Sequence, residues 1–271
     1  MADLPREITS HYDAFAEESR LAMGPSQLEF ERTKEILLRV LPSPPARIVD
    51  VGGAAGAYSF WLAGRGYEVH LVDASARLVA EATRRNGTAP ARLASAAVGD
   101  ARALPQEAGF ASVVLLMGPL YHLVDAGDRA LALREAFRVL SPGGVVAAAA
   151  ISRYASALDG LARSLTLDPR FVEIRNRDLD DGQHRNTTGR IDYFTTAYFH
   201  RPDDLQSEIE TAGFGSVSVL GVEGPCWLVG DFDERWADPI RRADLLDTAQ
   251  RLERAPSLLG VSAHLLGTGR K

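Results

Sequence analysis

The chain has 271 residues, of which 46% are hydrophobic and 24% charged, and its formal net charge is −6. This length suits one large domain or a core with sizeable insertions, and the acidic balance disfavours a nucleic-acid backbone as partner. The single cysteine, Cys226, excludes an intrachain disulfide and a thiolate metal cluster.

The amino-terminal stretch "MADLPREITSHYDAFAEESR" is polar and lacks the apolar core of a signal peptide. The longest apolar runs, 113–117 and 145–151, are too short to span a bilayer. A soluble cytoplasmic protein without membrane contact is expected. Two helices are predicted first, over 8–23 and 27–41, the second stopping at Pro42. Five strands then follow: "ARIVDV" (46–51), "YEVHLVD" (67–73), "ARLASAAV" (91–98), "FASVVLLM" (110–117) and "GGVVAAAAI" (143–151). Several are apolar at consecutive positions, as in a parallel sheet covered on both faces. Helices are predicted between them at 55–64, 76–85 and 128–140, the last closed by the structural turn "SPGG". Such alternation predicts right-handed βαβ units and a doubly wound, Rossmann-like α/β sheet. A further helix, "RPDDLQSEIETAGF", and two strands, 215–222 and 261–270, complete the pattern.

One domain over 1–271 is expected. Residues 1–45 form amino-terminal helices, 46–151 the cofactor-binding core, and 152–200 and 223–256 two acceptor-side insertions. Residues 201–222 and 257–271 complete the sheet. The amino-terminal segment and both insertions are expected to gather over the carboxyl edge.

In "RIVDVGGAAGAYSFWLAGRGYEVHLVDAS" (47–75), two strand-type runs each end in an aspartate, and glycines follow the first. Ligands of open parallel sheets bind at the carboxyl edge, where strand order reverses. Glycines there allow close approach to a backbone and a helix start. An acid ending the second strand accepts from ribose hydroxyls. A nicotinamide cofactor and S-adenosylmethionine both meet these conditions. Three features favour the second. Asp50 precedes the glycines, where a pyrophosphate has no use for negative charge but a cationic amino acid does. The turn "GGAAGA" does not supply G-x-G-x-x-G. In "VGDARALP", Asp100 is placed to accept from an adenine amino group while the Ala101 amide donates to the ring.

Together "VDVGGAAG", "HLVDAS", "GDARALP" and "REAFRVLSPGGVVAAA", spanning 49–149, resemble the class I S-adenosylmethionine-dependent methyltransferases, specifically the small-molecule type 11/25-like group. The resemblance implies a seven-stranded sheet whose last strand is antiparallel, with an amino-terminal helical lid. It implies S-adenosyl-L-methionine as cofactor, leaving S-adenosyl-L-homocysteine as product. Asp50 would lie near the methionine amino group, Gly52, Gly53 and Gly56 under methionine and ribose, Asp73 and Ala74 at the ribose, and Asp100 and Ala101 at adenine. The sequence departs from the family's G-x-G-x-G in having Ala54 at the middle position.

Methyl transfer is an in-line displacement, so the protein supplies alignment and desolvation, with a base only where the attacking atom must lose a proton. The methyl group is expected beyond the fourth strand, in "LLMGPLYHLVDAGD". Met117 and Gly118 would line the sulfonium, and His122 and Tyr121 are the candidate catalytic residues. The plainer alternatives are a loop-holding histidine and a tyrosine wall. In the lid segment, Tyr12 and Arg20 are expected at the methionine carboxylate and His11 at the acceptor. His184, Tyr193, Tyr198, His200 and Trp227 are further candidates for acceptor binding. No metal is expected, since "MGPLYH" stands where metal-dependent catechol-type methyltransferases place aspartates after the fourth strand, and His184 and His200 lack the short spacing of a helical ligand pair. Nor does a base-flipping N/D-P-P-Y/F/W motif follow that strand.

The expected activity is methylation at carbon, nitrogen or oxygen of a small aromatic or heteroaromatic metabolite. By resemblance this extends to natural-product tailoring and an indole-bearing acceptor. The competing classes are a non-catalytic S-adenosylmethionine-binding protein and an NAD(P)-dependent oxidoreductase. A monomer or homodimer acting on a small molecule, without nucleic acid, is expected.

Overall fold

A computed structural model describes residues 20–271. After helix α1 (Ser26–Val40) the chain alternates: β1 (Arg47–Val51), α2 (Ala57–Ala63), β2 (Glu68–Asp73), α3 (Ala76–Thr88), β3 (Ser95–Val98), β4 (Ala111–Leu116), the single turn α4 (Pro119–His122), α5 (Ala126–Val139) and β5 (Leu140–Ser152). Strands β3-β2-β1-β4-β5 pair in parallel in that order, so strand order reverses on either side of β1.

The consecutive apolar runs are explained by two cores. Val49, Val51, Val114 and Leu116 face one cluster with Leu133 and Ala136 of α5. Their neighbours Ile48, Val113 and Leu115 face the other, with Ile36 and Leu37 of α1 and Phe60 and Leu62 of α2. Alternate residues point to opposite faces, and both faces are covered, so apolar residues follow one another along the strands. "SPGG" does not merely stop α5. It forms an irregularity within β5, whose register to β4 jumps from Ala111↔Leu140 to Val113↔Val145.

The last part adds α6 (Ala155–Ala162), α7 (Pro169–Asp181), β6 (Gln183–His184), β7 (Ala197–His200), α8 (Pro202–Thr211), β8 (Gly215–Gly221), α9 (Phe232–Ala237), α10 (Pro239–Leu252) and β9 (His264–Arg270). As expected, β9 is antiparallel, lying between β5 and β8. Among the described residues the sheet has nine strands, however, not seven. Strand β5 runs past its last pairing with β4 at Ala148, and β7 pairs there in parallel with Ile151 and Ser152. An extended edge left unpaired would expose backbone polar groups; β7 covers it and carries β6 on its far side. The first insertion therefore belongs partly to the sheet.

In the second insertion, helices α9 and α10 pack with α1 around Leu28, Cys226, Phe232, Trp236 and Leu245. The reason is electrostatic as well as apolar. Arg32 on α1 is fully buried and pairs with Glu253, just past α10, at 2.5 Å. Arg39 pairs with the same carboxylate. A buried guanidinium without a counter-charge is costly, which ties α10 to α1.

Candidate active site

At the carboxyl edge two cavities meet. The first, about 1200 Å³, lies over β1, β2 and the loop after β4; the second, about 1100 Å³, lies between α6, β7 and the start of β9. Arg20 and Tyr121 line both.

The turn after β1 shapes the first cavity. Gly52 has a φ of +72°, and a Cβ there would come within 2.6 Å of Pro119 Cδ. Its glycine is thus demanded by α4 as well as by any ligand. Ala54 also takes a positive φ, +49°, in the left-handed region that favours glycine. This conformation lets its N–H donate to Asp73 Oδ2 at 2.9 Å. The other oxygen of Asp73 accepts from Ser75 N at 2.8 Å. Burial raises the Asp73 pKa, and the two backbone hydrogen bonds partly offset it. Asp73 lines the cavity with Ala74, Gly53, Asp100 and Ala101.

Asp50 lies behind the wall. It is fully buried beneath the turn, where a Cβ on Gly53 would meet its Oδ2 at 2.9 Å. Ser59 Oγ donates to Oδ2 at 2.5 Å, whereas Oδ1 has no hydrogen-bond partner among the described residues. Burial, reinforced by the charge of Asp73 and opposed by Ser59, pushes its pKa up to about 6. Gly56 is likewise absent from the lining; with a φ of +89° it starts α2 against the Phe60 ring.

Asp100 does line the cavity, but its carboxylate is already engaged. Arg102 chelates it, with Nη2 to Oδ2 at 2.6 Å, and reaches on to Asp128. This pair holds the Asp100 carboxyl below its ordinary range. A carboxylate keeps further lone pairs for another donor. Neither Arg102 nor Arg85, a second wall residue, stood out in the sequence.

Beyond β4, Met117, Gly118, Tyr121 and His122 line the first cavity. Tyr121 donates its hydroxyl to Met117 O at 3.1 Å, so its ring stands at the junction of the two cavities. The His122 ring packs edge-on against Tyr121 at 4.7 Å and lines only the first cavity. Arg20 forms a two-pronged pair with Glu29, at 2.7 and 3.1 Å. His11 and Tyr12 lie outside the described residues.

The second cavity has apolar walls from Ile151, Phe171, Phe194, Phe199 and Trp227. Trp227 is held by its Nε1–H, which donates to Val261 O at 2.9 Å. His184 and Tyr193 are also present, but both are committed. His184 lies between Asp178 and Tyr193 O, and the Tyr193 hydroxyl donates to Asp168. Tyr198 and His200 do not reach the cavity. On β7 successive side chains alternate in direction, and Phe199 takes the cavity side. Tyr198 instead packs on the Arg129 guanidinium at 3.7 Å. His200 is fully buried against Glu208, and burial pushes its pKa down.

One cluster was missed altogether. His264, the first residue of β9, lines the second cavity, and its Nδ1 lies 2.5 Å from Glu223 Oε1. Glu223 is itself buried and accepts from Ser262 Oγ and His264 N. Glu29 approaches His264 from the other side at 3.8 Å. Burial alone would lower the His264 pKa, but the carboxylates of Glu29 and Glu223 override it and push it up to about 9. Glu29, Glu223 and His264 bring potential donor atoms within 4.8 Å of one another. The positive charge among them is supplied by Arg20 and by the imidazolium. A strand-initial histidine in an antiparallel last strand belongs at the carboxyl edge, which was the available signal.

Residues 48–144 match the model of a methyltransferase domain family. The chain carries a methyltransferase domain. Nodulation protein S of Rhizobium tropici is 30% identical over 118 residues, covering 42% of this chain and 48% of that protein. The matched part thus spans about half the length of that curated relative. An S-adenosylmethionine-dependent methyltransferase from Methanosarcina mazei shares the fold at a TM-score of 0.58 and 16% identity, covering 87% of this chain and 96% of that one. One from Thermotoga maritima does so at 0.57 and 16% identity, covering 97% and 99%. At such identities the structures speak for the fold alone.

The family resemblance of the sequence implies S-adenosylmethionine as cofactor, and the first cavity fits it. Asp50 Oδ1, buried and without a donor, suits an ammonium group. Asp73 offers two carboxylate oxygens at the wall, and the glycine turn leaves room for a ligand against the backbone. Among the described residues, no helix is long and apolar enough to cross a membrane.

Proposed function

We propose that the protein methylates a small, planar, largely apolar acceptor, aromatic or heteroaromatic, bound in the second cavity. The observation that supports this is the junction of the two cavities at Tyr121, with Met117 and Gly118 beside it. Bound S-adenosylmethionine supplies an activated methyl group on a sulfonium that leaves as a neutral thioether. The residues present supply position. Asp73 and the glycine turn hold the nucleoside, and Tyr121, fixed through Met117 O, sets the height of the passage. Phe194, Phe199 and Trp227 exclude water from the approach. Apolar rings with few uncommitted polar groups suit a flat acceptor better than a sugar or a nucleotide. The proposed chemistry calls for no metal.

Calorimetry and a labelling assay test the proposal. S-adenosylhomocysteine should bind in the micromolar range and NAD should not. Labelled methyl groups should then enter phenolic, anilinic or indolic compounds. NAD binding without S-adenosylhomocysteine binding, or a bound cofactor with no transfer to any aromatic acceptor, sinks it.

A further inference from the structure

We infer that His264, oriented by Glu223, meets the attacking atom of the acceptor, and that this atom is a hydroxyl oxygen transferred as its oxyanion. The inference rests on the second cavity being the acceptor site. Glu223 sits just beyond β8, buried, and three donors lock it: Ser262 Oγ at 2.6 Å, His264 N at 3.0 Å and His264 Nδ1 at 2.5 Å. A carboxylate is an acceptor only, so it fixes the proton on Nδ1. Nε2 is then the ring's remaining polar atom, on a residue that lines the cavity with its side chain about 25% exposed. A carboxylate holding one imidazole nitrogen while the other faces a ligand is the arrangement of a general base.

The charges around the ring favour oxygen. Arg20 approaches from before α1, Glu29 from α1 and Glu223 from the end of β8; the two carboxylates balance Arg20 and a protonated His264. A cationic amine would find both carboxylates already engaged. A neutral arylamine has one lone pair, and facing the imidazolium it would lose that pair to a hydrogen bond from Nε2–H. A phenolic oxygen keeps lone pairs to spare. When His264 is neutral, the hydroxyl proton passes to Nε2. The oxygen then bonds to the methyl carbon, and the carbon–sulfur pair departs with S-adenosylhomocysteine. The imidazolium sheds its proton to solvent after product release. Proximity to two carboxylates raises the proton affinity of His264 towards that of a phenol, which makes the transfer nearly balanced.

Para-nitrophenol, titrated into the S-adenosylhomocysteine complex, reports the first step by absorbance, since phenol and phenolate differ in colour. Bound to wild-type protein it should ionise about one pH unit or more below the free compound, the scale of a nearby opposite charge. His264→Gln should remove that shift while cofactor affinity stays near normal. The same variant should lower kcat on hydroxyl acceptors by about 10²–10⁴, as expected for loss of a general base. Glu223→Gln, with folding verified by cofactor binding, should reduce the ionisation shift with little change in KM. An unshifted probe in wild-type protein, near-wild-type kcat in His264→Gln, or turnover confined to amino or carbon acceptors overturns the inference and leaves methyl transfer intact. A protein that binds S-adenosylhomocysteine but neither para-nitrophenol nor any methyl acceptor overturns the acceptor site itself, and this inference with it.

Discussion

Asp50 and Asp73 end adjacent parallel strands, yet they do different work. Asp73 stands at the cavity wall with each oxygen already taking one backbone N–H. Asp73→Ala should weaken S-adenosylhomocysteine binding by about 1–3 kcal/mol, the scale of hydrogen bonds to a charged group, and unchanged calorimetric affinity would remove it from the ribose site. Asp50, by contrast, is buried with an unpaired oxygen, and its pKa is raised to about 6. Its proton is held more tightly in the folded chain than in the unfolded one. Stability from this group is therefore full below the unfolded pKa and is lost as pH rises through about 6. A shift of about two units corresponds to roughly 3 kcal/mol. Asp50→Asn should thus stabilise the cofactor-free protein against urea at pH 8 and leave it nearly unchanged at pH 4, while saturating S-adenosylhomocysteine narrows the difference. Equal stabilisation at both pH values would show that burial of the charge is not the cause.

Among the elements, β7 shows how much hangs on a register of one residue. "AYFH" contains three aromatic rings in a row, all plausible in an acceptor pocket by residue type. Pairing of Phe199 with Ile151 turns Phe199 to the cavity and sends Tyr198 and His200 to Arg129 and Glu208. Nothing local in those four residues specifies which alternation wins, because both faces are buried. The long-range ion pair between α1 and the end of α10 was equally hidden. Glu253 is 221 positions from Arg32, and either residue read alone looks like a surface charge. Glu253→Gln should destabilise the protein by about 3 kcal/mol, since Arg32 would keep only Glu35 and Val222 O as partners. Urea titration checks this, and a change below about 0.5 kcal/mol, the level of an ordinary surface substitution, would mean that the pair is not what ties the insertion down.

Across the whole molecule, the alternating βαβ pattern was legible in the sequence, and the antiparallel last strand through the family resemblance. Local rules produce that pattern: apolar runs where both faces are covered, glycine and proline at turns, acids at strand ends. The first cavity was largely legible for the same reason, because most of its residues lie near consecutive strand ends between 51 and 123; Arg20, Leu21 and Arg85, which come from elsewhere, were not all legible in this way. The second cavity, the proposed acceptor site, was not. It is assembled from residue 20, strands β5, β7 and β9, helix α6 and the loop at Trp227, segments separated by up to about 240 positions. Glu223 and His264 became a dyad only when β9 inserted antiparallel beside β8 and brought the start of one strand to the end of the other. Side-chain chemistry within one βα unit is set by short-range geometry, so the sequence determined most of the wall of the first cavity. Which groups line the second cavity depends on strand order and register across the entire sheet, and that the tertiary structure alone decided.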